Sequence, residues 1–89
     1  MGMEKVLLKS EERKSLGEVA GFLRQLADKV ESGQVTLQQA DTELSFELPG
    51  MVTLEVKVEE EDKKGRTKFD LEVEIEWYEG DEAGEVKLA

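Results

Sequence analysis

The sequence predicts an α+β fold of two layers, in which one amphipathic helix packs on a mainly antiparallel sheet of four or five strands. Two observations lead to this prediction. Apolar residues recur every three or four positions between residues 15 and 33, which is the spacing of one helical face. Between residues 43 and 77 they recur at every second position, which is typical of half-buried antiparallel strands. A chain of 89 residues holds one modest core, so we predict a single domain over residues 4–79 and a mobile, acidic, glycine-containing tail over residues 80–89.

The first predicted elements are a short strand and the helix. Residues 5–9, "KVLLK", form a brief apolar run between charged segments, and we predict an edge strand there. Ser15 followed by Glu18 is a capping box, because each side chain can accept from a free backbone N–H at the start of a helix. Gly33 supplies the left-handed residue that ends the helix. The predicted core-facing stripe contains Leu16, Val19, Ala20, Leu23, Leu26, Ala27 and Val30.

The other strands follow from the alternation of apolar and polar residues. We predict strands at residues 44–48, 52–58 and 69–77, with one more short strand at residues 35–37. Chain reversals are predicted at Pro49 and Gly50, and again at residues 62–65, "DKKG". A four-residue loop at the second reversal sets Val58 opposite Phe69, so that apolar residues meet on one face of the hairpin.

Three segments in this order carry a family resemblance. They are the helical segment at residues 15–33, the "GQVTL" that overlaps its end, and the alternating "FDLEVEIEW", which closes with Trp77. Together they resemble the amphi-Trp domain family, small prokaryotic domains named for an amphipathic strand that ends in tryptophan. The likeness covers residues 4–79 and implies a compact stand-alone domain. It implies no catalytic residue, ligand or partner.

The net charge of −10 is concentrated in the second half of the chain. Residues 1–42 hold seven acidic and six basic residues, whereas residues 43–82 hold fourteen acidic and five basic ones. An acidic surface of this kind repels phosphate backbones, so we expect no nucleic-acid partner. No segment is apolar over the roughly 18 residues of a membrane span. The chain has no cysteine, so its sequence does not point to an oxidising compartment. We therefore expect a cytoplasmic protein without a membrane segment.

The residue types speak against an enzyme. The chain has no histidine and no cysteine, so it lacks the commonest general base, the commonest metal ligand and the most reactive nucleophile. Its glycines are too scattered to form a phosphate-binding loop. We predict no catalytic residue, no cofactor and no dedicated metal site.

A row of acidic residues on the last two predicted strands is the main candidate site. Successive side chains on one side of a strand lie roughly 6.8 Å apart, so a cation needs carboxylates from both strands. The predicted register sets Glu55 opposite Glu72 and diagonal to Glu74, so a loose divalent-cation site at these three residues is geometrically possible. Three interpretations stay open: a solvated surface, a docking surface for a basic protein, and a weak divalent-cation site. The function predicted is a non-enzymatic interaction module or adaptor, which binds a basic partner or forms a homodimer, and the alternative is weak cation binding. The candidate carboxylates are Glu55, Asp70, Glu72, Glu74 and Glu76.

Two aromatic residues complete the set of candidate binding residues. Trp77 continues the apolar side of its strand, so it either closes one end of the core or anchors an interface. Tyr78 points the other way and is predicted at the surface. Phe22 lies about 100° from the centre of the helical stripe, so it packs over a sheet edge or takes part in a self-contact.

Overall fold

The α+β class is confirmed in the computed structural model, which describes residues 2–81. The described chain contains one helix and four strands, all paired antiparallel. It divides into two compact units, Met1–Glu47 and Leu48–Ala89. The elements are α1 (Leu16–Ser32), β1 (Gln34–Gln39), β2 (Thr42–Glu47), β3 (Thr53–Lys63) and β4 (Arg66–Glu76).

Both predicted ends of helix α1 are confirmed. The Glu18 backbone N–H donates to Ser15 Oγ over 3.1 Å, and the Ser15 N–H donates to Glu18 Oε1 over the same distance. At the other end Gly33 has φ 84°, and its N–H donates to the Val30 carbonyl oxygen over 3.0 Å. Because a left-handed residue without a Cβ is unstrained, the helix ends there and the chain turns directly into β1.

The edge strand predicted at residues 5–9 is wrong. Residues 2–15 form neither helix nor strand, and Val6 and Leu7 are exposed. A strand requires a neighbouring backbone with free N–H and C=O groups, and a short apolar run cannot supply that neighbour itself. This segment contacts strand β1 through a side chain of the strand, because Gln39 Nε2 donates to the Lys9 carbonyl oxygen over 2.8 Å.

Strands β1 and β2 form the first hairpin, joined by the two residues Ala40 and Asp41. The short strand predicted at residues 35–37 is confirmed and extends further on both sides. Val35 lies opposite Phe46, and helix α1 packs against β1 on the same unit. Val35 is 7% exposed and is the most buried side chain of this unit. Helix α1 therefore covers the apolar side of strand β1.

Strands β3 and β4 form the second hairpin, which is almost twice as long as the first. Its loop has two residues, Lys64 with φ 50° and Gly65 with φ 78°, so the predicted four-residue loop is wrong. Two left-handed residues make a tight turn whose twist matches that of the flanking strands, and this favours the shorter loop. The register shifts by two residues, Val58 lies opposite Leu71, and each side chain keeps its predicted face.

The strands lie in two sheets of two strands each, so the predicted single sheet is not confirmed. Hydrogen-bonded neighbours are consecutive in the chain, β1 with β2 and β3 with β4. No helix within residues 2–81 has both the length and the apolar character needed to cross a bilayer. Of the predicted tail at residues 80–89, all but the first two residues lie outside the described part of the chain.

Candidate functional site

The two faces of the second hairpin differ completely in chemistry. Side chains alternate between the faces of a strand, and paired residues of an antiparallel hairpin share a face. One side, which we name the apolar face, is built from three consecutive pairs and one further aromatic side chain. The other side, which we name the charged face, carries acidic and basic residues along its whole length. The apolar face consists of Leu54, Val56, Val58, Phe69, Leu71, Val73 and Ile75.

Within the second unit, the apolar face is open to solvent. Apart from the half-buried Ile75, its side chains are between 59% and 71% exposed. Full burial of one such side chain stabilises a folded protein by about 1.5–3 kcal/mol. At roughly 25 cal/mol per Å², this free energy corresponds to about 60–120 Å² of apolar surface per side chain. The six exposed side chains together with Ile75 therefore present roughly 400 Å² of apolar surface. On β3 the face ends at Glu60, which lies opposite Phe69.

The charges of the hairpin separate along its length. We name residues 62–68 the tip and the paired residues 53–61 and 69–76 the stem. The tip holds four basic residues and one acidic residue, a net charge of +3. The stem holds eight acidic residues and a single base, Lys57, a net charge of −7. The hairpin is therefore basic at its turn and acidic toward Trp77.

Three carboxylates meet at the Trp77 end of the charged face. Glu55 lies directly opposite Glu74, and one carboxylate oxygen each of Glu55, Glu74 and Glu76 lie within 4.8 Å of one another. A hydrogen bond and charge repulsion from Glu55 raise the pKa of Glu74 above its ordinary value, and the charges of Glu76 and Glu72 add to the shift. All three residues are exposed. Bringing these like charges together is unfavourable, and a positive charge placed beside them relieves the repulsion.

The middle of the charged face is neutralised by one lysine. Lys57 Nζ lies 2.8 Å from Glu59 Oε1 and 3.3 Å from Glu72 Oε2. Hydrogen bonds to Glu59 and Glu72 raise the pKa of Lys57 well above its ordinary value, and the bond to Lys57 lowers the pKa of Glu59. Because Lys57 pairs with both of these carboxylates, the part of the charged face without a neutralising base lies between Lys57 and Trp77.

The shorter loop changes which predicted carboxylates come together. The four-residue loop predicted Glu72 opposite Glu55, whereas the structure places Glu74 there and pairs Glu72 with Lys57. Asp70 is half-buried and lies opposite Glu59. The predicted cation trio of Glu55, Glu72 and Glu74 is thus replaced by Glu55, Glu74 and Glu76.

The acidic end of the hairpin borders a groove of about 570 Å³. The groove is lined by Met51, Val52, Trp77 and Tyr78, with Glu76 and Asp81 among its polar residues. Trp77 is half-buried, and Tyr78 is 82% exposed as predicted. Asp81 holds the chain after the strand, because its carboxylate accepts the Tyr78 N–H over 3.0 Å and its own N–H donates to the Tyr78 carbonyl over 3.1 Å.

Phe22 lies on helix α1 in the first unit, whereas the acidic row belongs to the second unit. It is 56% exposed on helix α1 and lines a shallow groove with Leu26, Val35 and Leu37. The sequence reasoning also missed the basic tip, with Lys63, Lys64, Arg66 and Lys68. The signal was present in "KKGRTK", where a glycine turn sits inside a run of bases.

These observations define a class of protein: a small α+β domain with one capped helix and two β-hairpins, the longer of which is amphipathic and runs into a tryptophan. The chain belongs to the Amphi-Trp domain family, whose sequence model matches residues 1–89, the whole chain. The resemblance predicted from the sequence is therefore confirmed. A search of curated proteins and a search of solved structures each give no match to the chain.

Proposed function

We propose that this protein is a small non-enzymatic interaction module whose charged face binds a basic protein partner. The observation that carries the proposal is the carboxylate cluster of Glu55, Glu74 and Glu76, in which like charges are held together on an exposed surface. A cationic side chain placed there removes a repulsion that the free chain has to bear. Binding is thus favoured by relief of repulsion as well as by attraction.

The geometry of the face also selects the shape of the partner. Side chains on one side of a strand recur at roughly 6.8 Å, and an extended peptide repeats its own alternate side chains at the same interval. A segment with lysine or arginine at every second position therefore matches the row Glu72, Glu74 and Glu76 in spacing and in charge. The basic tip repels such a segment, so its contacts are limited to the stem.

The test is the affinity for an extended peptide with lysine at every second position, measured by calorimetry at low and high salt. We expect binding that weakens as salt rises, because exposed charges are screened. The double variant Glu72→Lys and Glu74→Lys should abolish binding. The matched control is Glu4→Lys with Glu11→Lys, which changes the net charge equally in a segment outside both hairpins. Equal binding by both double variants would refute the proposal.

Weak divalent-cation binding is the second candidate function. Oxygens that bind one Ca²⁺ at roughly 2.3–2.6 Å lie at most about 5 Å apart, and the carboxylate oxygens of Glu55, Glu74 and Glu76 lie within 4.8 Å. Amide NMR spectra recorded with millimolar calcium test this candidate. Shifts confined to these three residues support it, and an unchanged spectrum excludes it.

Two further predictions accompany the proposal. The cytoplasmic location stays a prediction from the sequence. The single sheet under helix α1 also stays a prediction from the sequence.

A further inference from the structure

We propose that two copies of this chain pair antiparallel along the outer edges of their β4 strands, so that the two second hairpins form one four-stranded sheet. The outer edge is the backbone edge of β4 that does not pair with β3. The inference rests on the proposed function, because it names a second copy of the chain as a basic partner of the charged face. When the whole of β4 is paired, Leu71 lies opposite the partner's Leu71 on a two-fold axis.

The first argument is the free backbone of β4. Opposite residues of an antiparallel pair alternate between those that exchange backbone hydrogen bonds and those that do not. Lys63 and Arg66 close the two-residue turn as a hydrogen-bonded pair, so the N–H and C=O groups of the even-numbered β4 residues point to β3. Those of the odd-numbered residues point to the outer edge, and within residues 2–81 no other strand pairs with them. A second β4 strand satisfies these groups with about ten hydrogen bonds.

The second argument is the order of charges along β4. The charged side of the strand begins with Arg66 and Lys68 and continues with four acidic residues. Antiparallel pairing over the whole strand sets Arg66 opposite the partner's Glu76 and Lys68 opposite the partner's Glu74, and symmetry repeats both contacts. These positions are the non-hydrogen-bonded ones, where opposed side chains approach most closely and opposite charges stabilise the sheet. Parallel pairing in register sets each charge opposite its own copy, so the charge order favours the antiparallel direction.

The same register also supplies the carboxylate cluster with positive charge. Glu74 and Glu76 are the members of the cluster that lie on β4, and each gains a base of the partner. One pair of the register is unfavourable, Asp70 with the partner's Glu72. Lys57 Nζ lies 3.3 Å from Glu72 Oε2 and compensates part of that repulsion. The opposite-charge contacts outnumber the like-charge ones, so the charges as a whole favour pairing.

The third argument distinguishes β4 from β3, whose outer edge also pairs with no strand within residues 2–81. On the apolar face, the proposed register sets Phe69 opposite the partner's Val73 and Leu71 opposite its own copy, and such pairs stabilise a sheet. Pairing β3 with itself over its whole length instead sets Val56 opposite the partner's Glu60. Apolar residues opposite carboxylates are unfavourable, so β4 is the edge that matches itself.

The oligomeric state of the full chain is the first measurement, by sedimentation equilibrium. We expect a dimer, and we expect Leu71→Pro to give a monomer because it removes an outward N–H from the pairing edge. Proline is tolerated on an edge strand where its nitrogen faces outward, so the hairpin itself is retained, which circular dichroism checks.

The matched control for this measurement is Val58→Pro. Val58 lies directly opposite Leu71, on the outer edge of β3, so the substitution makes the same change on the other edge of the same hairpin. This variant should remain a dimer. A monomeric wild-type chain at millimolar concentration would overturn the proposal, and so would loss of the dimer in both variants when both are folded.

A charge exchange within one chain tests the antiparallel contact. The single variants Lys68→Glu and Glu74→Lys each replace opposite-charge contacts with like-charge ones, so each should dimerise about tenfold more weakly. The double variant carries both substitutions and should regain wild-type strength, because opposite charges again face each other. A parallel dimer predicts no such recovery, since each residue there faces its own copy. A double variant no stronger than the single ones would overturn the antiparallel pairing.

The distance between two spin labels measures the direction independently. The chain has no cysteine, so Thr67→Cys provides one labelling site per copy. In the proposed pairing Thr67 lies opposite the partner's Ile75, which separates the two labelled residues by roughly 27 Å at about 3.4 Å per residue. Parallel pairing in register brings them to about 5 Å. The shorter distance would refute the proposed direction.

The Leu71→Pro variant also separates this inference from the function on which it rests. Its charged face carries no second copy, so it should bind the lysine peptide more tightly than the wild-type dimer does. A wild-type chain that is monomeric but binds the peptide would refute the dimer, and the binding function would stand. A wild-type dimer whose Leu71→Pro monomer fails to bind the peptide would refute the binding of other basic partners, and the dimer would stand.

Discussion

The two hairpins of this protein have the same loop length and the same alternation of residues, yet they differ in what covers them. Strand β1 packs against helix α1, and its Val35 is 7% exposed. Val58 lies on the apolar side of the second hairpin, as Val35 does on the first, but Val58 is 67% exposed. Alternation in the sequence therefore identifies the apolar side of a strand, while its burial depends on whether another surface is available.

The two hairpins also differ in what joins their strands on the polar side. The first uses hydrogen bonds from uncharged donors, with Thr36 Oγ1 and Ser45 Oγ 2.9 Å apart and Gln38 Nε2 donating to Glu43 Oε2 over 3.1 Å. The second uses charges, and its register places Glu55 opposite Glu74. Because this register places two like charges opposite each other, the charges do not determine it. The tight turn and the paired apolar residues determine the register of the second hairpin.

The largest expected difference between the hairpins concerns a buried charge. Val35→Asp places a carboxylate in the buried side of the first hairpin, and we expect it to lower the free energy of unfolding by about 3 kcal/mol or more. Val58→Asp changes an exposed position, and in dilute solution it should cost less than about 1 kcal/mol. Urea unfolding of both variants measures this. Equal losses would contradict the difference in cover.

A smaller effect distinguishes the two turns. Gly65 has φ 78°, where a Cβ is strained, so Gly65→Ala should destabilise the second hairpin by about 1–2 kcal/mol. Ala40 already occupies such a conformation, with φ 51°, in the first hairpin. Ala40→Gly should therefore stabilise the protein, by less than about 1 kcal/mol because glycine loses more backbone entropy on folding. Thermal unfolding checks both signs, and a loss of stability in Ala40→Gly would contradict this account of the first turn.

The smallest expected effect is the pH dependence of the charged face. Glu74 has a raised pKa in the folded chain, so the folded state binds its proton more readily and stability falls as pH rises through the window above the ordinary value of 4.5. Glu59 has a lowered pKa, so its contribution is present above that ordinary value and is lost as pH falls below it. Glu55→Gln should lower the titration midpoint of the Glu74 carboxyl in NMR spectra. An unchanged midpoint would show that Glu55 does not cause the shift.

Local signals in the sequence predicted local structure well. Ser15, Glu18 and Gly33 fix the two ends of helix α1 through contacts within four residues, so pattern alone was sufficient. Residue parity likewise placed every side chain of the second hairpin on its correct face. These features depend on backbone geometry that each segment carries by itself.

The features that the sequence did not predict depend on contacts between segments or on the turn. Residues 5–9 have the composition of a strand but no strand to pair with. The loop at Lys64 and Gly65 required a lysine in a left-handed conformation, which sequence rules seldom assign to lysine. Because the loop is two residues shorter than predicted, Glu76 rather than Glu72 lies beside Glu55 and Glu74.

Within residues 2–81, the second hairpin is a sheet of two strands, so the outer backbone edge of each eleven-residue strand pairs with no other strand of this part of the chain. Long, flat, unpaired edges are templates for fibril growth, in which identical segments stack in register. The acidic stem opposes such stacking, because each added copy brings the same negative row against the last. We therefore expect acid, which protonates these carboxylates, to favour the stacking of identical edges into an amyloid-like assembly.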